Sequence, residues 1–128
     1  MNIVVKKANK LLKYEREELE EFIPGSDVMN AWMEHGSSVV CLAKDRGVIV
    51  GASVLYLNFQ ENYIGAFIDS YYRRKGILLL MLNKIFSSYP FNKKFEIQYA
   101  PGARKYFKRF LDEKGIKNSE TSIFGEVS

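Results

Sequence analysis

A mixed α/β fold, with a mostly antiparallel central sheet flanked by helices, follows from three features of this 128-residue sequence. Helical apolar spacing runs through residues 10–23, β-branched runs fill residues 38–70, and helix and strand patterns alternate from residue 77 onward. The order they predict is β-α-α-β-β-β-α-β-α-β.

Each element has its own signal. Residues 2–5, NIVV, read as a short first strand. In KLLKYEREELEEFI the apolar positions Leu11, Leu12, Tyr14, Leu19, Phe22 and Ile23 recur at broadly helical spacing, and Pro24 and Gly25 stop the helix. A second helix is predicted through SDVMNAWMEHG, with Ser26 or Asp27 as N-cap and Gly36 as the stop. His35, just before that glycine, fits a capping role better than a catalytic one. The period then changes. SVVCLAKDRGVIVGASVLYLNF holds two β-branched runs separated by KDRG, a hairpin signature with Gly47 in the turn. NYIGAFIDS is a third strand of this sheet, ILLLMLNKIFSS a helix and KFEIQYA another strand. ARKYFKRFLDEKG is a helix closed by Gly115, and TSIFGEV a last edge strand.

Nothing in the chain repeats or reads as a linker, so residues 1–128 are expected to form a single domain. At 47% apolar and 27% charged residues the composition is that of a folded protein. The net charge of +4 makes phosphate-bearing partners electrostatically welcome. Cations gather at Arg73–Lys75 and between Lys93 and Lys117, and acids in YEREELEEF. Cys41 is the single cysteine, which excludes an internal disulfide and fits a reducing, cytoplasmic setting; its SSVVCLA context reads as a buried strand thiol. MNIVVKKANK lacks the apolar core of a signal peptide, and no stretch approaches a membrane span. One histidine and one cysteine leave no His/Cys metal cluster and no Cys-His nucleophilic pair, so no metal is expected. Walker-type loops and nucleophile elbows are absent from the sequence as well.

The stretch DSYYRRKGILLLML, residues 69–82, carries the chemistry. Three consecutive cations and a glycine lead directly into an apolar helix. Amide N–H groups of a first helical turn have no intrahelical partner, and the helix dipole adds about half a positive charge there, which favours an anion. Glycine lets the backbone approach a phosphate, and Arg and Lys add full charges able to hold a diphosphate. The same residues also suit an ordinary solvated turn before a core helix.

With the order of elements around it, YYRRKGI resembles the fingerprint R/Q-x-x-G-x-G/A of the GNAT superfamily of acyl-CoA-dependent N-acyltransferases. The match reads Arg73, Arg74, Lys75, Gly76, Ile77 and Leu78, so the last slot departs from glycine or alanine, and Ser70 stands where proline is common. Leu78 either crowds the phosphates or points into the core. The resemblance implies a GNAT-like fold, acetyl-CoA or another acyl-CoA as co-substrate, and a cofactor site at Ile68, Asp69, Ser70, Arg73, Arg74, Lys75, Gly76, Ile77 and Leu78. It also implies that the strand before the cradle exposes main chain to the pantetheine arm, with the Ile68 N–H as oxyanion donor. Gly65 is either a bulge in that strand or a packing concession to a neighbour such as Trp32.

Direct transfer to an amine needs a base and an acid. The resemblance points to Glu61 as base, although NFQEN reads equally as a polar turn. For the acid, the family slot counted from Ala103 falls on Phe107, and counted back from Gly115 on Leu111. Tyr106 is the nearest phenol, and it reads equally as a core residue with its hydroxyl at the rim. The expected function is acyl-CoA-dependent N-acyl transfer, of an acetyl group in the first instance, to an amine of a small molecule or protein. The alternatives are a silent GNAT-like domain that binds protein or nucleic acid through its basic face, and an acyltransferase acting on nucleic acid. A homodimer is compatible with the sequence, and no membrane partner is expected.

Overall fold

The computed structural model describes residues 1–25, 27–57, 61–89, 96–101 and 104–121. A six-stranded sheet runs in the order β1-β2-β3-β4-β5-β6, with β1 at Asn2–Lys7, β2 at Val39–Asp45, β3 at Val48–Leu57, β4 at Asn62–Ile68, β5 at Ile97–Tyr99 and β6 at Asn118–Glu120. The first four strands pair antiparallel, whereas β4–β5 and β5–β6 pair parallel. Among the described residues four α-helices accompany them: α1 at Lys13–Phe22, α2 at Val28–Trp32, α3 at Ile77–Ser88 and α4 at Arg104–Glu113. Parallel pairing requires a crossover, and α3 and α4 supply the two.

Alternation along the strands splits the core in two. On one face Val39, Cys41, Leu55 and Ile64 pack with Ile77, Met81 and Ile85 of α3 and Phe107, Phe110 and Leu111 of α4. On the other, Val40, Leu42, Val54 and Tyr63 meet Leu19 of α1, Ile23 just after it, and Met29 and Trp32 of α2. The hairpin predicted at KDRG is present, and Arg46 (φ 54°) and Gly47 (φ 81°) both take the left-handed conformation that two-residue hairpin turns require. Gly115 (φ 70°) closes α4 as expected.

Three elements differ from expectation. The second helix is only five residues long: Asp27 caps it by accepting from the Met29 N–H (2.8 Å), and the chain leaves the helix at Trp32, four residues before Gly36. Gly36 instead sits against Asn9, whose Cβ would lie 3.1 Å from an added methyl. The last strand forms at Asn118–Glu120, ahead of the predicted TSIFGEV, of which residues 122–127 lie outside the described residues together with Ser26. At the start of α1, the capping residue Leu12 and Tyr14 are exposed while Glu15 is buried. Its carboxylate accepts from Lys6 Nζ (2.7 Å) and from the Leu12 N–H (3.0 Å), with Lys44 Nζ at 3.8 Å. Burial pushes this carboxyl up, but the Lys6 ammonium, the Leu12 N–H and Lys44 together bring it below the usual carboxylate range.

Candidate functional site

The site begins where two strands part. β5 pairs with β4 only as far as Ile64 opposite Tyr99, while β4 runs on to Ile68. The Asp69 N–H donates to Val50 O (2.9 Å), so the antiparallel alternation turns the N–H and C=O groups of Ile68 and Ala66 to the opposite edge, which β5 no longer covers. Arg73 Nε donates to Ile68 O (2.9 Å) across that same edge. The result is a cleft of about 480 Å3 whose lining includes Ala66, Ile68, Arg74, Gly76, Leu78 and Tyr106.

The cleft floor is the start of α3. Among the described residues no acceptor takes the backbone N–H of Arg74, Lys75, Gly76, Ile77, Leu78 or Leu79, and the first bond of the helix runs from the Leu80 N–H to Gly76 O (3.2 Å). Gly76 is the N-cap and sits at φ 79°, a conformation that any side chain would strain. Arg74 is also left-handed, at φ 64°. An arginine held there costs about 1–2 kcal/mol, and such outliers gather at functional sites. Leu78 is half-buried: it packs against the α3–α4 core and also lines the cleft.

The cations are arranged unequally. Arg73 is spent on Ile68 O, its guanidinium 5.9 Å from the centre of the Phe67 ring. Lys75 Nζ rests 4.1 Å from the Tyr71 ring centre and 5.5 Å from that of Tyr72. Arg74 has no partner among the described residues and lines the cleft. Asp69 and Ser70 are exposed and start the turn, with Asp69 Oδ1 accepting from the Tyr71 N–H (3.0 Å). Tyr72 donates its phenol to Asp45 Oδ2 (2.7 Å), and this acceptor pushes the phenol's pKa up.

Tyr106 reaches the cleft from α4 and is about half exposed, whereas Phe107 and Leu111 are core residues. Ala103 lies outside the described residues. Tyr99 is buried against Phe107, and desolvation raises its pKa. The structure does not bring Glu61 to the cleft. It precedes β4, on the order of 17 Å along the strand from Ala66. Its carboxylate is hydrogen-bonded to the Tyr63 phenol, which burial and this acceptor push up. Tyr63 in turn stacks on Trp32 at 5.7 Å between ring centres.

Gly65 is in register with Val54, and no bulge interrupts β3–β4. A Cβ there would lie 3.1 Å from Met29 and 3.2 Å from Trp32, so the glycine is a packing concession. The irregularity in the sheet falls instead between β2 and β3, where Val50 is the extra residue. His35 is exposed, in the turn after α2, with its ring edge-on to Tyr56 at 4.8 Å.

The Ala66 main chain was beyond sequence reasoning, since its exposure depends on where β5 stops. The basic face of α4 carries both signs of charge: Arg104 pairs with Glu120 (2.7 Å), Lys108 with Asp112 (3.1 Å) and Arg109 with Glu113 (3.2 Å). Among the described residues no group of His, Cys, Asp and Glu is placed to hold a metal, and no helix is long and apolar enough to cross a membrane.

No family model matches the sequence, and no curated protein matches it either. Solved structures do. ElaA of Escherichia coli aligns with a TM-score of 0.64 at 9% identity, over 86% of this chain and 85% of its own. An acetyltransferase of the GNAT family from Staphylococcus aureus Mu50 aligns at 0.55 and 20% identity, over 89% of this chain and 84% of its own. YhhK from E. coli, solved bound to coenzyme A, aligns at 0.52 and 14% identity, over 90% of this chain and 91% of its own. By these alignments this chain has the fold of the GNAT N-acetyltransferases.

Proposed function

We propose that this protein is an acyl-CoA-dependent N-acyltransferase that passes an acetyl group directly to an amine. The observation that carries this reading is the cleft itself, with uncommitted N–H groups from Arg74 to Leu79 at one end and, at the other, the β4 edge that β5 leaves, where Ala66 and the Ile68 N–H remain after Arg73 takes Ile68 O. A diphosphate matches the first: six amides, the helix dipole and the Arg74 guanidinium supply positive charge, and Gly76 lets it approach. Asp69 and Ser70 shape the turn that delivers those amides, and Ile77 and Leu78 fix the helix to the core. A thioester arm matches the second, lying along β4 as a further strand would. The N–H of Ile68 or Ala66 then polarises the thioester carbonyl.

In the transfer, the neutral amine forms its N–C bond as the C–S bond breaks. Tyr106 protonates the departing thiolate and regains its proton from solvent. Water carries away the proton released by the amine, because Glu61 stands too far along β4 to take it directly and the Tyr63 phenol it holds packs on the α1–α2 face. Coenzyme A complexes of similar folds, such as YhhK, support the choice of co-substrate.

Calorimetric titration with acetyl-CoA and with coenzyme A tests the reading. Micromolar binding, abolished by Gly76→Glu and retained at least in part by Gly76→Ala, supports it, because both variants share the backbone strain and only one brings bulk and negative charge to the amides. Absence of binding by the unaltered protein would refute it.

A further inference from the structure

The segment from Asp69 to Gly76 must hold an unfavourable shape, with Arg74 and Gly76 both left-handed, and almost nothing packs on it. Of these eight residues Tyr72 alone is half-buried. The segment's first residue is anchored through Val50 O, and Arg73 folds back on Ile68, but both ties lie at the strand end. Among the described residues, the one side-chain hydrogen bond from the middle of the loop to another part of the sheet is Tyr72 Oη to Asp45 Oδ2, at 2.7 Å across 27 residues of sequence. Asp45 is itself fixed, as the last residue of β2 at the Arg46–Gly47 hairpin turn. A phenol donating to a carboxylate has a more electron-rich ring, and on the Tyr71 and Tyr72 faces rests the Lys75 ammonium.

We infer that Asp45 and Tyr72 form a positioning lock that preorganises the diphosphate cradle, holding the loop so that the amides of residues 74–79 converge before the ligand arrives. Neither residue is catalytic. This rests on the acyl-CoA reading of the same cleft. Without the lock the loop's ordering cost falls on binding, so acyl-CoA affinity drops while the chemical step is unchanged.

The test is a double-mutant cycle on acetyl-CoA binding and turnover. Tyr72→Phe and Asp45→Ala are each expected to raise Kd and KM about tenfold, the range of one charge-assisted hydrogen bond, with kcat of the saturated enzyme unchanged. The double variant is expected to lose about tenfold and not a hundredfold, and Asp45→Asn, which still accepts from the phenol, to bind nearly as the unaltered protein does. Loss of folded protein would lower apparent kcat at constant KM, which separates a structural role from positioning. Single variants that bind like the unaltered protein, or fully additive losses in the double variant, would overturn the lock while leaving the acyl-CoA reading intact. Failure of the unaltered protein to bind acetyl-CoA would overturn that reading and the lock with it.

Discussion

Replacing Gly65 by alanine is predicted to destabilise the protein and to disturb its single tryptophan. The added Cβ would stand 3.1 Å from Met29 Cγ and Sδ and 3.2 Å from Trp32 Cζ3, against an ordinary carbon contact of about 3.5–4.0 Å. Met29 can shift, since its thioether is flexible, but Trp32 cannot move freely. It stacks on Tyr63 at 5.7 Å and on Tyr56 at 6.2 Å, with planes within 14° of parallel. Overpacking of this kind costs about 1–3 kcal/mol, and the smaller entropy of unfolded alanine returns about 0.4–1 kcal/mol. The net loss is about 1–2 kcal/mol. An unfolding entropy of about 2.1 cal/mol/K per residue over 128 residues converts that into a fall in Tm of about 4–7 °C. Calorimetric melting gives the first number, and tryptophan emission reports the altered ring packing. A melt equal to or above that of the parent, with unchanged emission, would show that the helix α2 face yields freely and would refute the packing argument.

Other consequences can be checked together. Because folding lowers the Glu15 pKa, the stability it contributes is complete well above the ordinary value of 4.5 and is lost as pH falls below it through the folded pKa; Glu15→Gln should flatten that acid limb and cost about 1–3 kcal/mol at neutral pH, and an unchanged urea midpoint between pH 3 and 6 in both proteins would contradict this. Cys41 is buried and its thiol is pushed up to about 12, so a thiol reagent at pH 8 should leave the native protein untouched and modify one equivalent after unfolding. Tyr106→Phe is predicted to lower kcat about 10²-fold with Kd for coenzyme A unchanged, which stopped-flow turnover and calorimetry read separately.

The sequence carried the parts of this protein that depend on local chemistry. The turn at Asp45–Val48, the stop at Gly115 and the helix beginning after Gly76 each rest on a glycine that must be left-handed, and glycine in such a place is visible without coordinates. The short α2 was less legible. Met29, Trp32 and Met33 are spaced as a longer helix would have them, yet Met33 is buried from within a turn, where Arg16 Nη1 of α1 holds its carbonyl at 2.9 Å. Glu15 looked like one acid among many in an exposed helix, because the lysines that compensate it come from β1 and β2. The cleft divides the same way. Its cations and glycine are consecutive in the chain, but the uncovered edge at Ala66 depends on β5 ending at Tyr99, and the Tyr72–Asp45 contact on which hairpin the loop packs against.

In the proposed function, main-chain N–H groups at the start of α3 receive the diphosphate of an acyl-CoA. Amide chemical shifts recorded while acetyl-CoA is added to the 15N-labelled protein test it residue by residue. Saturable downfield shifts concentrated at residues 74–79, with a second set at Ala66 and Ile68, are the predicted result. Shifts confined to other parts of the surface, with these eight amides unmoved, would contradict it.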